Sequence, residues 1–117
     1  MHYVFMKKRD FHQPKLVVAN ATDENLLGYM SLSFKKNCIF PENAEDLVIS
    51  TGVKIDVPEG MVAQVINSNP KADWFVRKRW YFAGRHEIIL HLEIGDNILP
   101  SHTEIALVTL KKEKHCF

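Results

Sequence analysis

Cations and aromatic rings are interleaved between positions 71 and 81, and this mixture can serve several kinds of chemistry. Aromatic rings can stack on bases while cations hold phosphates, and Trp, Tyr and Arg also dominate protein-binding hot spots. Alternatively, Trp74, Phe75, Val76 and Trp80 fill the core and the cations form a solvated turn. The sequence leaves these readings open, with nucleic acid the least favoured. The candidate partner-binding residues are Lys71, Trp74, Arg77, Lys78, Arg79, Trp80 and Tyr81.

The histidines and cysteines do not have the spacing of a metal site. His86 and His91 are an odd number of positions apart on a predicted strand, so their side chains point to opposite faces and cannot share one ion. Cys38 is expected to be a buried structural thiol rather than a nucleophile. These residues therefore predict no metal site, and we expect no cofactor.

Composition predicts an ordinary globular domain. The chain has 117 residues, of which 46% are apolar, and a net charge of +1. This length favours a single domain over residues 1–117, and the charge gives no overall field that would attract nucleic acid or a membrane. Neither a signal peptide nor an apolar run long enough to span a bilayer is recognisable. We therefore expect an intracellular protein without a membrane span.

Alternating apolar segments separated by turn residues predict strands along most of the chain. In Gly28–Phe34 the apolar side chains of Met30, Leu32 and Phe34 fall on one face. No segment keeps the period of a helix over about ten positions, so an all-β barrel or sandwich with little helix is predicted. Other predicted strands are Leu16–Ala19, Cys38–Phe40, Leu47–Ile49, Trp74–Val76, Trp80–Phe82, Glu87–Ile94 and Ile105–Leu110.

The stretch Thr51–Asn69 predicts two strands joined by a tight turn. Val53–Val57 alternates, which places its three apolar residues on one sheet face. Pro58 suits the first corner of the turn and Gly60 tolerates the positive φ that often ends one. Val62–Ile66 is nearly continuously apolar, so both of its faces are expected to be buried.

This strand–turn–strand unit resembles that of trimeric dUTP pyrophosphatases. Gly28-Tyr29-Met30 lies where the family carries Gly-Tyr-Asp, Trp80–Leu92 is similar to the uracil-reading hairpin, and Glu104–Val108 resembles the Ile-Ala-Gln-Leu strand. The matches extend over roughly residues 16–110. The resemblance implies a dUTPase-like distorted jelly-roll or β-clip barrel of short strands, and a homo-oligomer, with a trimer favoured.

The residues that the family uses for hydrolysis do not match this sequence. Met30 replaces an acidic residue and is too soft to hold magnesium, and no arginine fork for phosphate stands in Asn67–Asn69. The family's aspartate for the attacking water and its glycine-rich C-terminal arm are also missing. The resemblance therefore implies a degenerate nucleotide pocket, formed by Met30, Asn67, Ser68, Asn69, Tyr81 and Gly84.

Because it resembles the dUTP pyrophosphatases but lacks their residues for hydrolysis, the chain also resembles the adenoviral early-region-four proteins of the first open reading frame. That resemblance implies a non-enzymatic viral adaptor in the host cytoplasm or nucleus, which binds host PDZ-domain or kinase-signalling proteins. The basic tail at 111–117 supplies Phe117 for a PDZ groove, although His115 stands where Ser or Thr is commonest. The alternatives are a residual dUTP-binding or nucleotide-binding hydrolase and a structural virion or phage decoration module.

Overall fold

The computed structural model describes residues 3–5, 26–35, 37–39, 44–69, 71–95, 98–99 and 102–113. Strands make up most of these residues. In chain order they are β1 (Tyr3–Phe5), β2 (Leu26–Ser33), β3 (Cys38–Ile39), β4 (Ala44–Val57), β5 (Met61–Asn67), β6 (Trp74–Val76), β7 (Arg79–Tyr81), β8 (Gly84–Ile94), β9 (Ile98–Leu99) and β10 (Glu104–Lys112).

The strands form two four-stranded sheets and one small ribbon. Sheet I has the order β1-β4-β8-β6, sheet II has the order β2-β10-β5-β7, and β3 pairs with β9. Every pairing is antiparallel except the parallel pairing of β1 with β4. The predicted all-β class is confirmed. Within the described ranges the sheets do not close into a barrel, because no ladder joins one sheet to the other.

One hydrophobic core lies between sheets I and II. Met30, Leu32 and Phe34 are buried, which confirms the predicted face of Gly28–Phe34. Opposite them, β8 buries alternate residues from Ile88 to Ile94. The indole nitrogen of Trp74 in sheet I donates a hydrogen bond of 3.3 Å to the carbonyl oxygen of Ile105 in sheet II. Side chains from both sheets therefore hold sheets I and II together.

Strand β4 runs without interruption from Ala44 to Val57, so the two separate strands expected at Leu47–Ile49 and Val53–Val57 are one. Its pairing with β8 shifts register between Ser50 and Lys54. Thr51, which is fully buried in this irregular region, donates from Oγ1 to the carbonyl oxygen of Ile88 and accepts from the amide of Val53. The strand can therefore pass through the irregularity without breaking.

The turn between β4 and β5 differs in detail from its prediction. The amide of Met61 donates to the carbonyl oxygen of Pro58, so Pro58 is the first residue of the turn and Glu59 is its first corner. Gly60 is the second corner and has a φ of 77°, a conformation that costs a side-chain-bearing residue energy. The carbonyl oxygen of Gly60 also accepts from the amide of Glu113, which fixes the end of β10 beside the turn.

Two other expectations require correction. Strand β5 buries Ala63 and Val65, whereas Val62 and Ile66 are only half-buried, because the core lies on one side of sheet II. The expected tail at 111–117 begins inside the sheet, since β10 continues to Lys112. The expected strand Leu16–Ala19 lies outside the described residues.

The chain crosses between the sheets three times from β5 to β8. Strand β5 belongs to sheet II, β6 to sheet I, β7 to sheet II and β8 to sheet I. Only Arg77 and Lys78 separate β6 from β7. Among the described strands, β7 is the last strand of sheet II and pairs with β5 alone. These crossings determine where the cations and aromatic rings of the sequence lie.

Candidate functional site: an aromatic and cationic edge at strand β7

The cluster predicted from the sequence separates into three groups, because its residues alternate along strands that change sheets. Trp74 and Tyr81 contribute to the core, Arg77 lies on the outer face of sheet I, and Lys78 and Trp80 lie on the outer face of sheet II. Lys71 is exposed, and its amide donates to Oδ1 of Asn69 in a local turn. The alternative in which Trp74, Phe75, Val76 and Trp80 fill the core is confirmed for Val76 and Trp74, and it is wrong for the exposed Phe75 and Trp80.

Tyr81 is a structural residue at the boundary between the sheets. Only 5% of it is exposed, and its hydroxyl oxygen accepts a hydrogen bond of 2.9 Å from the amide of Ile89. The same hydroxyl donates to the carbonyl oxygen of Ile89 over 3.5 Å. Strand β6 pairs with β8 only from Leu92 to Ile94. On that side of β8, Ile89 therefore has no paired strand beside it among the described strands. The Tyr81 hydroxyl therefore provides backbone hydrogen bonds that an adjacent strand would otherwise supply.

On the outer face of sheet I, an exposed aromatic residue lies next to an ion pair. Phe75 is 50% exposed and lies opposite Glu93. The guanidinium of Arg77 donates to Oε1 of Glu93 over 3.2 Å. This carboxylate offsets the charge of Arg77, although exposed ion pairs of this kind contribute little to stability.

The second surface, which we call the β7 edge surface, consists of Lys78, Arg79, Trp80 and Phe82. Trp80 is 52% exposed and Phe82 is 58% exposed, although both are large apolar residues. The Lys78 ammonium lies 5.9 Å from the centre of the Trp80 ring, a cation–π distance. Lys78 and Trp80 therefore lie side by side at the outermost described strand of sheet II, and the exposed Phe82 follows at the end of that strand.

Arg79 completes this surface from the other face of the strand. Its guanidinium carbon lies 5.4 Å from the centre of the Tyr81 ring, and its Nη1 lies 2.8 Å from Nε2 of His91. An arginine can only donate, so His91 accepts through Nε2 and carries its proton on Nδ1. These two contacts fix the direction of the guanidinium while Arg79 remains exposed.

The residues of the predicted nucleotide pocket do not meet in one place within the chain. Tyr81 lies opposite Ala63, whereas Asn67 lies four positions further along β5, a separation of roughly 13 Å in a strand. The Ser68 hydroxyl donates to the carbonyl oxygen of Glu104 over 3.2 Å. Oδ1 of Asn67 is buried and has no hydrogen-bond partner in the described part of the chain. The segment Asn67–Asn69 is therefore separate from Tyr81.

Met30 instead lines an open cavity of about 230 Å³ between the two sheets. Tyr81 and Gly84 lie opposite two cavity-lining residues, Ala63 and Val57 respectively. Gly84 has a φ of 129°, which suits glycine. Apolar side chains provide most of the cavity wall, which offers little to hold a triphosphate. The lining residues are Met30, Lys54, Ile55, Asp56, Val57, Ala63, Val108 and Leu110.

The two histidines considered as metal ligands have different neighbours. Nε2 of His86 lies 2.7 Å from the carbonyl oxygen of Phe82, and His91 contacts Arg79. Among the described residues, no three His, Cys, Asp or Glu side chains are grouped as metal ligands. The tail residues His115 and Phe117, which were predicted to bind a PDZ domain, lie outside the described residues.

Comparison with protein-family models, curated proteins and solved structures found no match to this chain. The resemblance to dUTP pyrophosphatases therefore rests on the sequence motifs alone. Among the residues with described positions, no helix has the length and apolarity to cross a membrane.

The exposed aromatic residues Phe75 and Phe82 were not among the predicted binding residues. Phe82 has a recognisable signal, because it stands two positions after Trp80 and therefore shares its face in an extended chain. Phe75 is adjacent to Trp74 and so faces the opposite side from that core residue. The cavity between the sheets has no comparable signal, because its lining residues come from four strands, β2, β4, β5 and β10.

Proposed function

We propose that this protein is a non-enzymatic binding module that uses the β7 edge surface to contact another protein. The observation that carries this proposal is the joint exposure of Trp80 and Phe82 beside Lys78. Exposed apolar surface that is contiguous and rimmed by polar residues marks interaction sites in soluble proteins. Trp and Arg are also enriched among the residues that dominate binding energy.

Burial of these two rings would supply a useful amount of binding free energy. A buried aromatic side chain removes on the order of 150–250 Å² from water, and about half of Trp80 and Phe82 is still exposed. At about 25 cal/mol per Å², covering both exposed halves contributes roughly 5 kcal/mol before the costs of association. This contribution suits an anchor within a larger contact.

The contacts of the dUTP pyrophosphatase motif positions support a protein without catalysis. Met30 packs in the core, the Tyr81 hydroxyl bonds the backbone of Ile89, and the Ser68 hydroxyl bonds the backbone of Glu104. These groups therefore have structural partners. The phosphate-binding arginine fork of the family has no counterpart in Asn67–Asn69.

We extend this proposal to a catalytically silent, dUTPase-like viral adaptor that binds host proteins. Support comes from the order of the sequence motifs, together with an all-β architecture in which Gly28–Ser33 and Glu104–Val108 lie on paired strands. Under this proposal the protein is a homo-oligomer, preferably a trimer, in the host cytoplasm or nucleus. Its partners include PDZ-domain or kinase-signalling proteins, with the PDZ contact made by the C-terminal tail.

Two measurements on the full chain test the proposal. In the first, purified protein is incubated with dUTP and magnesium, and pyrophosphate release is followed; we expect none above the rate without protein. In the second, the wild-type protein and a Trp80→Ala, Phe82→Ala variant capture proteins from a lysate of infected or host cells. We expect the variant to lose the proteins that the wild type retains, because its aromatic anchors are missing.

A Phe75→Ala variant is the matched control, because it removes one exposed ring from the other sheet. It should retain the captured proteins. Circular dichroism of all variants checks that the sheets still form. Pyrophosphate release that depends on the protein, or capture that survives in the Trp80→Ala, Phe82→Ala variant, would contradict the proposal.

A further inference from the structure

We propose that β7 accepts an extended segment of a partner protein as an added strand, and that this segment alternates apolar and acidic residues. The inference rests on the proposed binding function and specifies its geometry and chemistry. It follows from three properties of the β7 edge surface: a strand edge with no neighbour among the described strands, side chains that differ between its two faces, and cations with no carboxylate partner among the described residues.

The first property is the edge itself. Strand β7 pairs through Arg79, Trp80 and Tyr81 with β5 on one side, and no described strand lies on its other side. A sheet edge presents amide and carbonyl groups at the spacing of a second strand. Addition of an extended peptide to such an edge is a recurrent mode of recognition, in which backbone hydrogen bonds supply affinity and side-chain pockets supply specificity.

The second property is the alternation of side chains along the edge. Trp80 lies opposite Gln64 and points away from the core, with the Lys78 ammonium beside its ring. Phe82 is exposed directly after the end of β7 and, if the chain stays extended there, lies on the same side as Trp80. Arg79 and the buried Tyr81 point to the other side. An added strand would therefore place alternate residues next to aromatic rings on one face and next to a guanidinium on the other.

The third property is the charge. Neither Lys78 nor Arg79 has a carboxylate partner among the described residues; Lys78 contacts the Trp80 ring and Arg79 contacts His91 and Tyr81. Arg77, by contrast, already pairs with Glu93. Charge complementarity therefore favours glutamate or aspartate next to Arg79, a further acidic residue near Lys78, and apolar residues next to Trp80 and Phe82.

The same features disfavour two other occupants. A second copy that paired edge to edge through β7 would bring its own Lys78 and Arg79 against these cations, and like charges across a ladder are destabilising. A nucleic acid could stack on Trp80, but it has no backbone that matches a strand edge. The net charge of +1 also provides little attraction for phosphates over distance.

The test uses the full chain and a defined peptide probe, a fluorescein-labelled dodecapeptide of alternating glutamate and valine. Binding is measured by fluorescence anisotropy. We expect saturable binding that weakens when sodium chloride is raised from about 50 to about 300 mM, because the contacts with exposed cations are screened. A peptide with the same composition but with all valines before all glutamates should bind at least about tenfold more weakly, because it cannot match both faces at once.

Backbone methylation provides the decisive comparison, because it changes the peptide and not the protein. In an added strand, the amides of alternate residues point to β7 while the others point to solvent. Two further peptides therefore carry N-methyl groups on the valines or on the glutamates. We expect one of them to lose binding by at least about tenfold and the other to bind within about threefold of the parent peptide, since one amide set forms the ladder.

Protein variants locate the site. Lys78→Glu with Arg79→Glu, and separately Trp80→Ala with Phe82→Ala, should each weaken binding at least about tenfold. Lys112→Glu is the matched charge control, because Lys112 is exposed on β10, two strands away from β7. It should change binding by less than about twofold.

Three results would overturn the inference: no binding of the alternating peptide, equal binding of both methylated peptides, or tighter binding of a single-stranded dodecathymidylate that the same cation variants abolish. None of these results affects the proposed function if protein capture still depends on Trp80 and Phe82. Conversely, peptide binding at β7 by a protein that releases pyrophosphate would contradict the non-enzymatic proposal and leave the strand-addition inference standing.

Discussion

Tyr81 shows how one hydroxyl group can replace part of a strand. It serves both the amide and the carbonyl group of Ile89 at a position where β8 has no paired neighbour on that side within the described strands. The sequence placed Tyr81 in both a binding cluster and a nucleotide pocket. Its burial and its partners instead assign it to the junction between the sheets.

We predict that Tyr81→Phe lowers the free energy of unfolding by about 1–3 kcal/mol, because the Ile89 amide loses its partner in a part-buried place. Urea unfolding followed by circular dichroism measures this change. Tyr29→Phe is the control, because Tyr29 is half-buried on the outer face of sheet II and its hydroxyl has no hydrogen bond among the described contacts. A loss at Tyr29 as large as that at Tyr81 would contradict the assigned role.

The two tryptophans have different surroundings. Trp74 is half-buried, with its indole nitrogen bonded to the Ile105 carbonyl, whereas Trp80 is exposed beside Lys78. Both stand in short aromatic segments of similar composition. Their different surroundings follow from the change of sheet between β6 and β7, which a count of neighbouring residue types does not reveal.

Strand β4 remains one strand because the side chain of Thr51 compensates for its irregular pairing with β8. The register with β8 shifts between Ser50 and Lys54, and this shift leaves backbone groups that need other partners. Thr51 provides them through hydrogen bonds of 2.7 Å to the Ile88 carbonyl and 3.0 Å from the Val53 amide. The strand thereby pairs with β8 on both sides of the irregularity.

We expect Thr51→Val to lower the free energy of unfolding by roughly 2–4 kcal/mol, because two buried backbone groups lose their partners while the side-chain shape is nearly preserved. Thermal and urea unfolding measure the effect. The matched control is Thr109→Val, whose hydroxyl makes only a 3.5 Å contact with the Gln64 carbonyl and which should cost less than about 1 kcal/mol. Equal costs at the two threonines would refute the compensating role of Thr51.

Considered as a whole, the molecule has one core between two sheets, so its sheets should not unfold separately. Trp74 reports on sheet I and Trp80 on sheet II. In single-tryptophan variants, Trp80→Phe and Trp74→Phe, we expect the fluorescence midpoint in urea to coincide with the circular dichroism midpoint of the same variant. The physical reason is that the inner faces of both sheets bury each other's apolar surface.

Leu90→Ala provides the accompanying perturbation, because Leu90 is fully buried in the middle of β8. When it is added to each single-tryptophan variant, both signals should shift together, by a loss of about 2–5 kcal/mol. A Trp80 transition that precedes the circular dichroism transition would show that sheet II unfolds on its own and would contradict the shared core.

The sequence by itself determined the periodicity of the strands. Alternation in Gly28–Phe34 and in Glu87–Ile94 predicts the faces that are buried, because a strand exposes successive side chains to opposite sides whatever lies around it. The same local logic places positive φ at Gly60. The all-β class follows from this information, since it needs only the spacing of apolar and turn residues along the chain.

Only the tertiary structure decided which strands are neighbours and therefore which candidate residues meet. The crossings between sheets separate Trp74 and Tyr81 from Lys78 and Trp80, and they leave both Trp80 and Phe82 exposed. Strand β7 is an edge because of the order of sheet II, a long-range pairing with no local signature. Hydrophobic periodicity fixes the face of a side chain, but the packing of distant segments fixes what that face contacts.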